Sequence, residues 1–254
     1  MGALHAGHAA LIQRARQLAG RDGFVVVSIF VNPTQFGPRE DLSRYPRPFA
    51  EDRTLCAALG VDLLFHPTAE EMYPEGYSTW VDEERVSQPL CGGSRPGHFR
   101  GVCTVVLKLL QITSPDSAVF GLKDFQQCAV VRQMVRDLNI GVQIVPVETV
   151  READGLALSS RNRYLSTEER DQAPVLRCAL LAAEQAFKGG QTSSARLRQL
   201  VIRMIETAPL ARVDYVEVSD ADSLEPLRLV QGNAVIAVAV FFGKTRLIDN
   251  LWIR

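Results

Sequence analysis

The chain has 254 residues, 46% hydrophobic and 22% charged, with 28 Lys+Arg against 29 Asp+Glu and a formal net charge of −1. That mix excludes a mainly disordered chain, and its balance excludes whole-surface basicity of the kind that draws a protein to nucleic acid or a membrane. No apolar run reaches the ~18–20 residues of a transmembrane helix, and no cationic start with an apolar core marks a secretory leader.

Taken in chain order, the first half alternates helices and strands. Leu11, Ile12, Ala15 and Leu18 recur at near-helical spacing and predict a helix over Ala9 to Leu18. The β-branched run from Phe24 to Val31 reads as a strand buried on both faces, and hence as part of a parallel sheet. A helix is expected from Pro48 to Leu59, stopped by Gly60, then a short strand from Val61 to Phe65. A compact apolar helix over Val102 to Ile112 leads to a strand at Ala118 to Phe120, a helix from Phe125 to Leu138 and a strand from Val142 to Val147. This alternation predicts a doubly wound, Rossmann-like parallel sheet. After Glu148 the pattern changes to α+β: helices at Glu168 to Phe187 and Ser194 to Glu206, then strands at Val213 to Ser219 and Ala234 to Phe242. Two domains are therefore expected, 1–149 and 150–254.

The five cysteines, Cys56, Cys91, Cys103, Cys128 and Cys178, are odd in number and form no C-x-x-C. They are read as reduced, mostly core-filling residues, which points to the inside of the cell.

Five segments carry chemistry. His5 and His8 lie three apart on a first helical turn, beside backbone amides suited to phosphate, with Gly7 letting a ligand approach. Their spacing is not that of a zinc helix, and no protein-held metal is expected. The alternatives are capping, surface or core histidines. Leu158 to Asn162 supplies Ser159, Ser160 and Arg161 for an anion, or forms an ordinary Ser/Asn turn. Phe120 to Gln127 leaves the carboxyl end of a strand, where open α/β sheets bind ligands. There Gly121 permits a tight turn, Lys123 meets phosphate, Asp124 accepts from ribose or caps the helix, and Gln127 holds a small polar substrate. The alternative is a capped helix with a solvated Lys–Asp pair. Asn32 to Phe36 also leaves a strand and offers the amides of Asn32 and Gln35 to a hydroxyl or carboxylate, or simply ends the strand. Arg95 to Gly101 either clamps an anion or caps the following helix, and His66 is read as structural. Neither Gly-x-Gly-x-x-Gly nor Gly-x-x-x-x-Gly-Lys-Ser/Thr occurs, so a dinucleotide fold and a P-loop kinase are disfavoured.

Met1 to His8, Ser28 to Phe36, Glu40 to Pro46, Arg95 to Val102, Phe120 to Gln127 and Ser159 to Tyr164 together resemble the pantothenate synthetase (pantoate–β-alanine ligase) family. The resemblance runs along nearly the whole chain. It implies adenylation of (R)-pantoate by Mg2+-ATP, then attack of β-alanine on pantoyl adenylate, giving pantothenate, AMP and pyrophosphate. It implies that His5, His8, Lys123, Ser159, Ser160 and Arg161 surround the triphosphate. Met1, Gly7, Gly121 and Asp124 would serve ATP, Gln35 and Gln127 would hold pantoate, and Asn32 and Arg95 would lie toward the acceptor and pyrophosphate. It further implies a cytoplasmic homodimer with no nucleic-acid or membrane partner, whose smaller C-terminal domain closes over the nucleotide. In the family a strand and a proline precede the first motif, so this chain is expected to lack the first strand. Two other readings stay open: an adenylyltransferase acting on another small acid, and an impaired nucleotide-binding protein.

Overall fold

The computed structural model describes residues 2–38 and 40–254. The chain divides into two compact units, Met1–Leu122 with Val130–Glu148, and Lys123–Ala129 with Thr149–Arg254.

The first unit opens with α1 (Ala6–Ala19), longer than the periodicity suggested because His5 caps it three residues earlier. Gly20, at φ 67°, ends it in a conformation that costs glycine little. Strand β1 (Val26–Ser28) leads through a 3₁₀ turn, Pro33–Gln35, to α2 (Phe49–Ala58) and β2 (Leu63–Phe65). β1 and β2 pair in parallel, with Val27 opposite Leu64. Ile12, Val27, Ile29 and Cys56 bury together, so α1 and α2 share one core with the strands. The long strand buried on both faces is corrected here: Val25, Val27 and Ile29 are buried, the residues between them are half-buried, and Phe24 is 67% exposed. Period-two geometry sends alternate residues to opposite faces, and only one face of this strand is fully covered.

Two short helices follow, α3 (Ala69–Met72) and α4 (Cys91–Ser94). Then comes α5 (His98–Thr113), with eight buried residues from Phe99 to Leu110. Strand β3 (Ser117–Gly121) pairs in parallel with β4 (Gln143–Val147), and α6 (Phe125–Asp137) connects them. The expected parallel pairing is present, and it falls in two two-stranded sheets. α1 lies against β3 and β4.

In the second unit the helix expected from Glu168 to Phe187 is two helices, α7 (Thr167–Gln172) and α8 (Val175–Lys188). Pro174 between them has no N–H to donate and its ring crowds the preceding turn. α8 and α9 (Ser194–Ile205) pack together against an antiparallel sheet of β5 (Ala211–Asp220), β6 (Ala234–Phe242) and β7 (Thr245–Ile253), ordered β5-β6-β7. The amphipathic helices bury Leu176, Leu180, Leu197 and Val201 on Ile236, Val238, Val240 and Phe242. Each such side chain contributes about 1.5–3 kcal/mol by leaving water. Strand β7 is absent from the sequence reading. Asp249 and Asn250 interrupt its apolar pattern, yet both are buried. Arg151 satisfies Asp249 with two hydrogen bonds, at 2.6 and 2.9 Å. Four of the five cysteines are buried and Cys178 is exposed. Among the described residues no helix is long and apolar enough to cross a membrane.

Candidate active site

In the first unit the two histidines cap α1 and touch each other. The Gly7 N–H donates to His5 Nδ1 at 3.1 Å, and the His5 N–H donates to His8 Nδ1 at 3.3 Å. The rings lie 4.1 Å apart. One amide expected to be open to phosphate is thus already taken by a ring. Because both Nδ1 atoms accept from backbone, each neutral imidazole carries its hydrogen on Nε2. Two Nε2–H donors at the positive end of a 14-residue helix suit an anion. Capping thus occupies the Nδ1 atom of each ring. Asp52, buried at 2% exposure, accepts the N–H groups of Ala3 and Leu4 at 2.8 and 2.6 Å and fixes the approach to the cap. Met1 lies outside the described residues.

The Asn32–Gln35 turn is held from three sides. Asn32 is 3% exposed and its amide is fully used. Its Oδ1 accepts from the Thr34 N–H at 3.3 Å, the Thr34 hydroxyl at 2.9 Å and the Tyr73 hydroxyl at 2.9 Å. Its Nδ2 donates to Gly101 O at 3.1 Å and Gln35 Oε1 at 3.3 Å. Asn32 is thus an internal organiser of this turn. Gly101, on α5, touches the turn backbone so closely that a Cβ there would lie 2.5 Å from Thr34 O. Burial pushes the Tyr73 hydroxyl above the ordinary tyrosine range, which keeps it a donor.

Arg95 is engaged by the protein itself. Its Nε and one terminal nitrogen each reach Glu40 at 2.6 Å, the bidentate geometry that suits guanidinium and carboxylate. It also approaches Gln35 O at 3.3 Å. His98 Nδ1 lies 2.8 Å from that same carbonyl and its Nε2 3.0 Å from Arg95. A carbonyl and a guanidinium fix the tautomer: Nδ1 donates and Nε2 accepts. Burial pulls the Glu40 carboxyl upward, and Arg95's hydrogen bond and charge together with the Gly37 amide outweigh it, leaving the pKa lowered.

Gly121 ends β3 without a positive φ, and a Cβ there would meet Leu11 at 3.8 Å, an ordinary contact. The turn freedom that Gly121 permits is not drawn on here, because its backbone has no positive φ.

In the second unit Lys123, Asp124 and Gln127 surround the start of α6. Lys123 Nζ lies 3.9 Å from Asp124 Oδ2, and their side chains are 22% and 50% exposed. Ser159 caps the 3₁₀ turn Ser160–Tyr164 by accepting the Arg161 N–H at 3.3 Å. Asn162 holds that turn through Glu152 Oε1 at 2.8 Å and Ala157 O at 3.1 Å. Arg170 holds Glu152 at 2.7 Å in turn. The unforeseen β7 serves both segments. It packs on the Ser160–Tyr164 turn, and Asn250 Nδ2 donates to Lys123 O at 3.1 Å. Phe125 meets Trp252 edge-on at 5.6 Å. Leu247, Ile248, Leu251 and Ile253 were the signal for this strand, and Asp249 and Asn250 between them obscured it. Tyr73 left no such signal.

A family model described as pantoate-beta-alanine ligase matches residues 1–252. The chain belongs to the pantoate–β-alanine ligase family. Relatives in that family include a pantothenate synthetase of Pelotomaculum thermopropionicum, 54% identical over 250 residues, 98% of this chain and 88% of the relative. One from Moorella thermoacetica is 53% identical over 251 residues, 99% of this chain and 88% of the relative. Among solved structures, pantothenate synthetase from Thermus thermophilus has a TM-score of 0.94 at 50% identity, covering 99% of this chain and 90% of that one. The ligase of Francisella tularensis, complexed with β-γ ATP and β-alanine, has a TM-score of 0.77 at 35% identity and covers 99% of this chain and 87% of its own.

Proposed function

We infer that the chain is an ATP-dependent ligase condensing (R)-pantoate with β-alanine to pantothenate. The reading is carried by family membership across residues 1–252. In the first step the pantoate carboxylate attacks the α-phosphorus of ATP and pyrophosphate leaves. In the second the β-alanine amine attacks the acyl carbon of pantoyl adenylate, loses a proton and expels AMP. The substrate carboxylate is the nucleophile, so the protein's work is positioning and charge stabilisation.

Residue roles in this proposal follow the chemistry of each group. The Nε2–H donors of His5 and His8 meet phosphate oxygens. Lys123, Ser159, Ser160 and Arg161 neutralise and bind the triphosphate. Met1, Gly7, Gly121 and Asp124 serve the nucleotide, and Gln35 and Gln127 hold pantoate. Asn32 acts from inside the turn and Arg95 from its pairing with Glu40, which supports a shaping role for both beside the acceptor and pyrophosphate side. Among the described residues no group of three or more His, Cys, Asp or Glu could hold a metal ion. In this proposal Mg2+ arrives bound to ATP, whose phosphate charge it offsets. Homodimer assembly and a cytoplasmic location complete the proposal, supported by the family likeness and by cysteines read as reduced.

Pantoate-dependent exchange of pyrophosphate into ATP tests the first step, and AMP release on adding β-alanine tests the second. Exchange driven by a different small acid would favour a sister adenylyltransferase. ATP binding without exchange would favour an impaired nucleotide-binding protein.

A further inference from the structure

We propose that Tyr73 is a positioning residue of the ligase reaction: its hydroxyl holds buried Asn32 in the place from which the Asn32 amide turns the Gln35 amide toward the acid substrate. The proposal rests on the reading of Gln35 as a pantoate-binding residue.

Hydrogen-bond polarity decides the orientation. An amide side chain offers an oxygen that accepts and a nitrogen that donates, and its flip is decided by its partners. At Asn32 the partners leave no choice. The Thr34 N–H can only donate, so the atom 3.3 Å away is Oδ1. The Gly101 carbonyl can only accept, so the atom 3.1 Å away is Nδ2. The Thr34 and Tyr73 hydroxyls add two further donors, each 2.9 Å from Oδ1. With Asn32 so fixed, Nδ2 faces Gln35 at 3.3 Å and demands an acceptor there, which is Oε1. Gln35 is thereby turned with its Nε2 donors at the remaining end, and among the described residues Nε2 has no partner. A carboxylate or hydroxyl oxygen is the complement of those donors. The chain of polarity runs from Tyr73 O–H to Asn32, from Asn32 N–H to Gln35, and from Gln35 N–H to the acid.

Tyr73 is well built for this task. Its ring is packed by Tyr77 at 5.1 Å and Trp80 at 6.1 Å, with Lys108 Nζ 5.7 Å from its face. A rigid ring places its hydroxyl with little loss of rotamer freedom. The hydroxyl also lies 3.4 Å from Thr34 Oγ1, so it contacts the turn at two residues. A buried network of this kind is worth most when every member is satisfied.

The test uses the full chain. In pantoate-dependent exchange, Tyr73→Phe is expected to raise KM for pantoate about three- to tenfold, the effect of one lost hydrogen bond. The kcat and KM for ATP should stay at wild-type values, and the melting temperature should fall by only about 2–4 °C, the cost of that one bond. Gln35→Glu, which presents acceptors in place of donors while leaving Asn32 its acceptor, should raise that KM by on the order of a hundredfold. In a Gln35→Ala background Tyr73→Phe should add nothing, because the two act in series. An unchanged pantoate KM in Tyr73→Phe, an effect that persists without Gln35, or an equal loss for ATP would overturn the proposal. The side-chain amide signal of Gln35 in 15N-labelled protein, identified by its loss in Gln35→Ala, gives a readout without turnover. It should shift in Tyr73→Phe, and an unmoved signal refutes the relay. A wild-type chain without pantoate-dependent exchange would instead defeat the functional reading, and the relay would then stand or fall on that amide signal.

Discussion

Replacing Gly101 by alanine tests how the first unit holds the Asn32–Gln35 turn. An added Cβ would lie 2.5 Å from Thr34 O, 2.7 Å from Thr34 C and 2.8 Å from Gln35 N. All three are backbone atoms, so no side-chain rotation relieves the clash. Restoring a 3.4 Å contact moves Thr34 O by about 0.9 Å, a displacement passed directly to Gln35. Overpacking of this kind costs about 1–3 kcal/mol, which lowers the melting temperature by roughly 3–10 °C in a protein of this size. A shift near 1 Å at a substrate-holding group also costs up to ~10²-fold in rate. We therefore expect Gly101→Ala to lower pantoate-dependent pyrophosphate exchange by roughly ten- to a hundredfold at saturating ATP, with ATP affinity preserved. Differential scanning calorimetry and exchange kinetics on the same samples measure both effects. Wild-type melting and wild-type pantoate KM in Gly101→Ala would refute the close-packing argument.

His5→Ala should lose both a helix cap, about 0.5–2 kcal/mol, and phosphate stabilisation worth about 2–4 kcal/mol by analogy with a single oxyanion donor. Lys123→Ala should lose only the latter, so melting separates the two variants while exchange does not; unchanged exchange rates in both would remove the assigned roles. Arg151→Ala strands the carboxylate of Asp249, whose side chain is 2% exposed, and should destabilise the second unit by about 3–5 kcal/mol in urea unfolding. Replacing both residues by apolar ones should recover much of that loss, and a mild effect in the single variant would show that water reaches Asp249. The lowered pKa of Glu40 means that its folded form binds protons less readily than its unfolded form. Its contribution is present at neutral pH, begins to fade as pH falls through the ordinary glutamate range, and is lost below the lowered folded value. Backbone signals from residues 40–47 should follow that acid window in the wild type and not in Glu40→Gln; identical titrations would break the link to Arg95. Among the cysteines, Cys178 should react quickly with a thiol reagent while Cys103 resists, its pKa pushed up to about 12 by burial and by Glu83 and Asp82. Fast labelling of Cys103 in the native protein would contradict that burial.

Much of the architecture was legible because it follows from local rules. Periodicity found α1, α2, α5, α6 and α9 to within a few residues. β-Branched runs found β3, β4 and β6. The family motifs were legible too, since a histidine pair, Ser-Ser-Arg and post-strand turns are visible in the residue string itself. The misses share a cause. β1 looked buried on both faces because apolar content shows what a residue tolerates, and coverage depends on neighbours distant in sequence. Pro174 was a visible break, but the apolar stripe of α8 ran through it. β7 was hidden by Asp249 and Asn250, whose burial becomes acceptable only when Arg151, ninety-eight residues away, supplies two hydrogen bonds.

The sequence by itself determined the class of fold, the two-part organisation of its pattern, and the family to which its motifs belong. Those depend on spacing and residue type, which a linear string contains. Tertiary structure alone decided how the side chains are spent. It made His5 and His8 both caps and Nε2–H donors. It used every hydrogen-bonding position of Asn32 within the protein, and it joined Arg95 to Glu40. Donors and acceptors are properties of a residue, but whether they remain for a ligand depends on the partners that folding brings within 3 Å or so.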